Sequence, residues 1–263
     1  MPKVDDIVRV IERYAPVSLQ ESWDNTGLQV GHRDMEVEGV LTCVDVTPDR
    51  VAEALEVGAN MIVSHHPLLF RGLKSITGDT GVQRAVEMAL QGKIAIYSSH
   101  TATDSTTGGI SAIMAEKMGA EILGPLQPTA PGAMTGLGVL AQLPRVMTPD
   151  EFIALAKDTF GCSRVRFSNP TAAPQSILRV ALCGGAGDDM IALAVQGKTQ
   201  AYVTGELRYH HFVDYASDIL LVDCGHYETE QFAKYKFKEL ISSAFPDLKT
   251  IVSDKENNPV NYI

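Results

Sequence analysis

Three apolar runs, far apart in the chain, each end in residues of the kind that bind metals: His65 and His66 after MIVS, His100 and Asp104 after IAIYSS, and His226 and Glu230 after ILLVDC. Neutral imidazole is the commonest protein metal ligand, and a carboxylate adds charge to balance a cation. A mixed nitrogen and oxygen set suits Zn, Fe, Mn or Co better than Mg or Ca, and its lack of cysteine argues against a purely structural zinc. His226 and Glu230 stand four residues apart, so a helix beginning near Tyr227 puts them on one face, with Cβ atoms roughly 5–6 Å apart. His65 and His66 are adjacent. On an extended strand they point to opposite faces, so either one of them is structural or two ions are bound. For any one histidine the competing reading is a ring satisfied by hydrogen bonds in the core. Recurrence favours ligands, because in open α/β sheets functional groups gather beyond the carboxyl ends of strands.

Delivering these groups needs strands that stop just short of them. Met61, Ile62 and Val63 form a continuous apolar, partly β-branched run bounded by Gly58 and Pro67, as expected of a strand covered on both faces. GVLTCVDVT (39–47) reads as a strand, and Thr47 with Pro48 opens a helix. A helix over 82–90, a strand over 94–99 and a helix over 110–118 come next; in the last, Ile110, Ile113, Met114 and Met118 recur at helical spacing and read as core. Asp104, just upstream, is read as a ligand, the alternative being a cap for that helix. ESWDNTGLQVG (21–31) is loop chemistry, and its Trp23 reads more as a packing anchor than as a pocket wall.

Proline and glycine concentrate in GPLQPTAPGAM (124–134), which reads as the crossing between a first lobe, 1–125, and a second, 126–263. GLGVLAQL is then a strand, and Thr148, Pro149 and Glu151 form a capping-box start to a helix with an apolar face of Phe152, Leu155, Ala156 and Phe160. SRVRFS is a short strand, and ILRVALCGGAGDDM is a strand and a glycine turn entering a helix. Gly184, Gly185 and Gly187 could cradle a phosphate, but Asp188 and Asp189 would repel an anion there, so the turn reading is preferred. AYVTGELRYHH (201–211) is another strand running into polar residues, QFAKYKFKELISSAF is a closing helix, and LKTIVSDKENNPV holds one more strand, a candidate to return to the first lobe. The expected fold class is α/β, with two lobes and mixed sheets.

Composition narrows the function. The chain has 263 residues, a net charge of -10 and a pI near 5.1. With no basic stripe, a nucleic-acid partner is not expected. No apolar run is long enough for a membrane span, and no signal-peptide pattern precedes the amphipathic stripe of Val4, Ile7, Val8 and Ile11, so the expected location is the cytoplasm. Cys43, Cys162, Cys183 and Cys224 sit singly in mostly apolar surroundings and read as buried thiols.

SHHPLLF, HTATD, TGELRYH and GHYETE, together with WDNTGLQVG, resemble the GTP cyclohydrolase 1 type 2 homologue family, also called the NGG-interacting factor three-like family, over nearly the whole chain. The resemblance implies two α/β lobes facing a central dinuclear metal site, two divalent ions (Zn, Fe, Mn or Co) held by His65, His66, Asp104, His226 and Glu230, and a homohexamer built as a trimer of dimers. His100 and His210 would lie near the site, and Trp23 and Glu228 are further candidates for substrate or outer contacts. Longer members carry an inserted third domain, for which the 124–134 crossing has no room, so this is the short form. Glu206 stands where many members have aspartate. Three functions are compatible with this: a metal-dependent hydrolase acting on a small molecule or nucleotide, GTP cyclohydrolase-type chemistry as a special case, and a non-catalytic metal-binding, carrier or regulatory oligomer.

Overall fold

The computed structural model describes residues 1–263 and divides into two compact units, Met1–Thr103 with Gln231–Asn257, and Asp104–Glu230 with Asn258–Ile263. The fold class is α/β, with one mixed sheet of five strands and another of six. No helix is long and apolar enough to cross a membrane.

The first unit begins with helix α1 (Val4–Tyr14), which buries the stripe Val4, Ile7, Val8 and Ile11. Strands β1 (Gly27–Val30) and β2 (Gly39–Cys43), helix α2 (Pro48–Glu56), strand β3 (Met61–Ser64), helix α3 (Gly81–Gln91) and strand β4 (Ala95–Ser98) come after it. Thr47 and Thr80 cap α2 and α3, accepting from the amides of Arg50 and Gln83. Strands β2, β3 and β4 are parallel and buried along their whole length, which explains their unbroken apolar sequences. Leu41, Val51, Ile62, Ala85 and Ile96 are among the buried residues between sheet and helices. The sequence reading of 21–31 as loop misses β1. This strand is only four residues long and pairs antiparallel with β4 through a bulge between Leu28 and Val30, so no clean alternation marks it.

Over the short helix α4 (Thr101–Ser105) the chain passes into the second unit: α5 (Ile110–Lys117), β5 (Glu121–Pro128), β6 (Gly136–Met147), α6 (Pro149–Phe160), β7 (Arg166–Phe167), β8 (Ile177–Leu182), α7 (Ile191–Gln196), β9 (Ala201–Thr204), α8 (Tyr209–Asp214), β10 (Leu220–Asp223) and α9 (His226–Glu230). The strands run in the order β5-β6-β8-β9-β10-β7, with β8, β9 and β10 parallel and the outer pairs antiparallel. The capping box at Thr148 and Glu151 forms as expected. The stretch 124–134 is not a domain crossing. Gly124, Pro125 and Pro128 lie in β5, paired with β6, and the residues after them are the hairpin turn. An edge strand tolerates proline because its outward amides need no partner, so a linker-like composition here hides a hairpin.

The chain then returns to the first unit as α10 (Phe232–Ala244) and β11 (Lys249–Val252). β11 pairs parallel with β2, Lys249 opposite Gly39 and Val252 opposite Thr42, completing the order β1-β4-β3-β2-β11. The unit boundaries therefore fall at 103/104, 230/231 and 257/258. The 125/126 boundary read from composition is corrected accordingly, because sheet membership and not proline content decides where the chain crosses.

Candidate metal centre

In the first unit the ends of β2, β3 and β4 lie in one register, Cys43 opposite Ser64 and Ser64 opposite Ser98. The residues just past these ends therefore collect in one place: Asp45 after β2, His65 and His66 after β3, His100 after β4. Both adjacent histidines lie past the last strand residue, where the alternation of faces no longer holds. The Ser64 hydroxyl donates to the His66 carbonyl at 2.9 Å, and the two imidazole centroids are 5.0 Å apart. Each is 5.3 Å from the His100 ring. The expectation that adjacent histidines point apart is thus corrected: the strand ends at Ser64, and His65, His66 and His100 bring their ligand atoms within 4.8 Å of one another.

Each of these rings is turned by a bond at Nδ1. His65 Nδ1 is 3.2 Å from the Ser99 carbonyl, His66 Nδ1 is 2.8 Å from Asp45 Oδ1, and His100 Nδ1 is 2.9 Å from Asp24 Oδ1. Carbonyl and carboxylate oxygens only accept, so Nδ1 carries the proton in the neutral ring and Nε2 carries the lone pair. Asp24 is itself held by the Thr101 amide at 3.0 Å, the Asn25 amide at 2.7 Å and the Thr26 and Thr101 hydroxyls. Burial pushes its carboxyl upward, but the bonds from His100 and Thr101 win and hold it well below the usual carboxylate range.

In the second unit, Gly225 turns the chain at φ 90° into α9, a single helical turn that puts His226 Nε2 2.8 Å from Glu230 Oε2. His226 Nδ1 is 3.0 Å from Glu206 Oε1. Asp223, at the end of β10, accepts from the Leu207 and Gly225 amides at 3.0 and 3.1 Å and from Arg166, and so joins the segment carrying Glu206 to the one carrying His226. Burial raises the Asp223 carboxyl against the pull of Arg166. The glycine turn after β8 packs directly on this pair: a Cβ on Gly185, at φ +64°, would lie 2.1 Å from Glu230 Oε1 and 3.2 Å from His226 Nε2. The turn reading of these glycines stands, with close approach to Glu230 as its reason. Cys183 is buried, and burial, then the charges of Asp104 and Glu230, push its thiol far up, so it stays protonated.

Asp104 lies within α4, and the N-cap position of α5 is Gly109. His210 is exposed on α8, with its ring against Tyr209; Glu206, from the same TGE segment, is the residue that reaches His226. Glu228 is buried, and its Oε1 accepts from Asn258 Nδ2 at 2.7 Å. Trp23 is not an anchor. It is 57% exposed and lies edge-on to Phe70 and His100, each with a centroid distance of 5.9 Å. Sequence reasoning passes over Asp24, Asp45 and Asp223. The strand-end argument could have found Asp45 and Asp223, which stand at or just past the ends of β2 and β10; Asp24, in a loop, carries no such signal.

The donor chemistry fits a metal ion. Metal-binding imidazoles usually give their other ring nitrogen to a carboxylate or carbonyl, and His65, His66 and His226 all do so here. His226 has a carboxylate at each ring nitrogen, an arrangement that calls for a proton or a metal cation to balance it.

Known proteins agree with this architecture. A Clostridium perfringens protein named GTP cyclohydrolase 1 type 2 homolog is 33% identical over 99% of this chain and 100% of its own length. A protein of the same name from Lactococcus lactis is 32% identical over 98% of both chains. Among solved structures, a Bacillus cereus protein related to NIF3 superposes with a TM-score of 0.90 at 23% identity, covering 100% of this chain and 99% of its own, and shows the shared fold. A hypothetical protein of Staphylococcus aureus superposes with a TM-score of 0.86 at 28% identity over 100% of both chains. The family profile of Duf34/NIF3 (NGG1p interacting factor 3) matches residues 2–259, and the chain belongs to that family.

Proposed function

We propose that this chain binds two divalent transition-metal ions, Zn, Fe, Mn or Co, through His65, His66, Asp104, His226 and Glu230, and uses them as a metal-dependent hydrolase on a small-molecule or nucleotide substrate. The observation that carries the reading is the Nδ1 bonding of His65, His66 and His226, which presents Nε2 of each as the ligand atom. Bound ions of this kind lower the pKa of a coordinated water and polarise an electrophile. The protein's own part is to orient and to balance charge: Asp45 and Glu206 fix His66 and His226, and Glu230 and Asp104 offset the cations. Glu228, buried and held by Asn258, is the further carboxylate we assign to proton transfer.

Catalysis is favoured over storage by Trp23 and Phe70. They are 57% and 47% exposed, and both rings lie edge-on to His100, with centroids 5.9 and 6.3 Å away. Asn25 donates to the Leu69 carbonyl at 2.7 Å, tying the two loops together, so the aromatic wall is preformed beside the imidazoles. Such a wall serves a substrate and has no use in holding an ion. The names of the relatives point to GTP cyclohydrolase-type chemistry as one member of this class. The four buried free cysteines suit a cytoplasmic setting. On family resemblance we also propose a homohexamer built as a trimer of dimers, which a monomer at micromolar concentration in light scattering would overturn.

The direct test is metal analysis of protein purified without chelator and reconstituted with Zn, Fe, Mn and Co, then a hydrolysis screen over nucleotides, phosphodiesters and cyclic amides. Two ions per chain are expected, with loss of metal and turnover in His66→Ala and Glu230→Ala. Failure to take up metal under any condition sinks the proposal.

A further inference from the structure

Glu256 lies beyond β11 on the returning tail, and its carboxylate continues the sheet where strands leave off. β2 ends at Cys43 and β11 at Val252, and the Ser253 amide still reaches the Thr42 carbonyl at 2.8 Å. The next amides on the β2 line, those of Val44 and Asp45, both donate to Glu256 Oε1 at 2.9 Å, and Val44 also reaches Oε2 at 3.1 Å. A carboxylate this deep needs a countercharge, and Lys234 on α10 supplies one at 3.0 Å, the two side chains being 4% and 5% exposed. The tail is secured before it arrives there. Glu53, paired with Arg50, accepts from the Ser253 hydroxyl at 2.7 Å and the Asp254 amide at 3.1 Å.

Asp45 is the residue this arrangement governs. Its amide is held by Glu256, and its Oδ1 lies 2.8 Å from His66 Nδ1. The Asp45 side chain is 48% exposed, so with its backbone released it would exchange the imidazole for water. His66 also depends on this backbone directly, since its amide donates to the Val44 carbonyl at 2.9 Å. Resting on the metal-binding reading above, we infer that Glu256, neutralised by Lys234, is a positioning residue for His66, acting through the backbone of Val44 and Asp45. The tail sets the angle at which this imidazole is presented. A plain fastener for β11 would need neither contact with the Asp45 amide nor a buried ion pair beyond the end of the strand.

Two double variants separate positioning from fastening. Lys234→Met/Glu256→Gln removes both charges but keeps an amide oxygen able to accept from both amides. Lys234→Met/Glu256→Leu removes the acceptor as well. Neither leaves a buried charge alone, the change most damaging to folding. The probes are Zn(II), titrated against a competing chelator, and the ring nitrogen resonances of His66 in metal-free protein at a pH where imidazole is neutral. In the leucine variant, Zn(II) should bind about 10–100-fold more weakly and His66 should lose its Nδ1–H tautomer signature. In the glutamine variant both should match the parent. Thr80→Ala, which uncaps α3, should lower the unfolding midpoint and leave both readouts alone. Parental affinity and tautomer in a folded leucine variant would overturn the inference. If that variant does not fold, Glu256→Asp, which keeps the negative charge near Lys234 and withdraws the acceptor by one methylene, decides in the same way. A parent that takes up no Zn(II) defeats the metal reading, while the ring signature in metal-free protein still tests Glu256.

Discussion

In the first unit the imidazoles stand on backbone that has just left a sheet, whereas in the second His226 and Glu230 stand on one turn of helix, whose own hydrogen bonds set their spacing. The strand-end residues need outside help. Asp24, 76 residues before His100, and Asp45, 21 before His66, turn those rings. The helix pair has one such partner, Glu206 at His226, but above all needs space: Gly185 and Gly225 leave room for Glu230 and Glu228, where a Cβ would come within 2.1 and 2.3 Å of a carboxylate oxygen. One unit is therefore sensitive to side chains removed at a distance, the other to atoms added close by.

Adding an atom should do the most harm. Gly185→Ala places a methyl group on Glu230 at a backbone φ of +64°, and should cost about 1–3 kcal/mol in urea unfolding of the metal-free protein. Calorimetric metal affinity should fall by about 100-fold or more, beyond the effect of losing an orienting carboxylate. A variant with parental stability and affinity would mean that the second unit is not space-limited.

Removing an orienting carboxylate should act on a smaller scale, and unequally. Asp24→Asn keeps one acceptor oxygen in an inaccessible side chain but loses its charge and some of its bonds, with an expected cost of about 1–3 kcal/mol. Glu206→Gln, at a side chain 61% exposed, should leave stability within about 0.5 kcal/mol, because the amide keeps an acceptor for His226 and no buried charge is disturbed. Equal losses in the two variants would erase the contrast between strand-end and helix presentation.

The smallest effect concerns a helix cap outside the candidate site. The Thr148 amide, and after it Arg145, holds the Glu151 carboxyl below its ordinary 4.5. As pH falls, the unfolded chain therefore takes up this proton first. The cap's contribution is present above that ordinary value and lost as pH falls through the lower folded one. Glu151→Gln should lower the urea midpoint slightly at about pH 7 and progressively less as pH falls below the ordinary carboxylate range. A larger gap at the acid end would reverse the sign and refute the assignment.

Buried strands and the polar residues that follow them are legible in the sequence for one physical reason: a run such as Met61 to Val63, covered on both faces, leaves an unbroken apolar signature, and the histidines at its end interrupt it. The His226 and Glu230 pair is equally legible, since helical spacing is a local property. The angle of each ring is not. It depends on single aspartates in loops, and pairings such as Asp24 with His100 have no period to read. Trp23 is misread because a lone tryptophan looks the same in sequence whether its ring packs inward or faces solvent. The unit boundaries are misread because the pairing of β11 with β2 joins residues about two hundred positions apart, and no local composition records that.

The position of β11 also fixes an order in time. Ribosomes add about 5–20 residues per second, so the first 103 residues wait roughly six to thirty seconds before residues 231–257 emerge to finish their sheet. Meanwhile the whole of Asp104–Glu230 has been made, and its sheet closes without the tail strand. His65, His66 and His100 are thus made first and fastened last. A chain cut short after Leu248 lacks β11 and Glu256, so damage at the carboxyl terminus falls on the half of the protein encoded at the beginning.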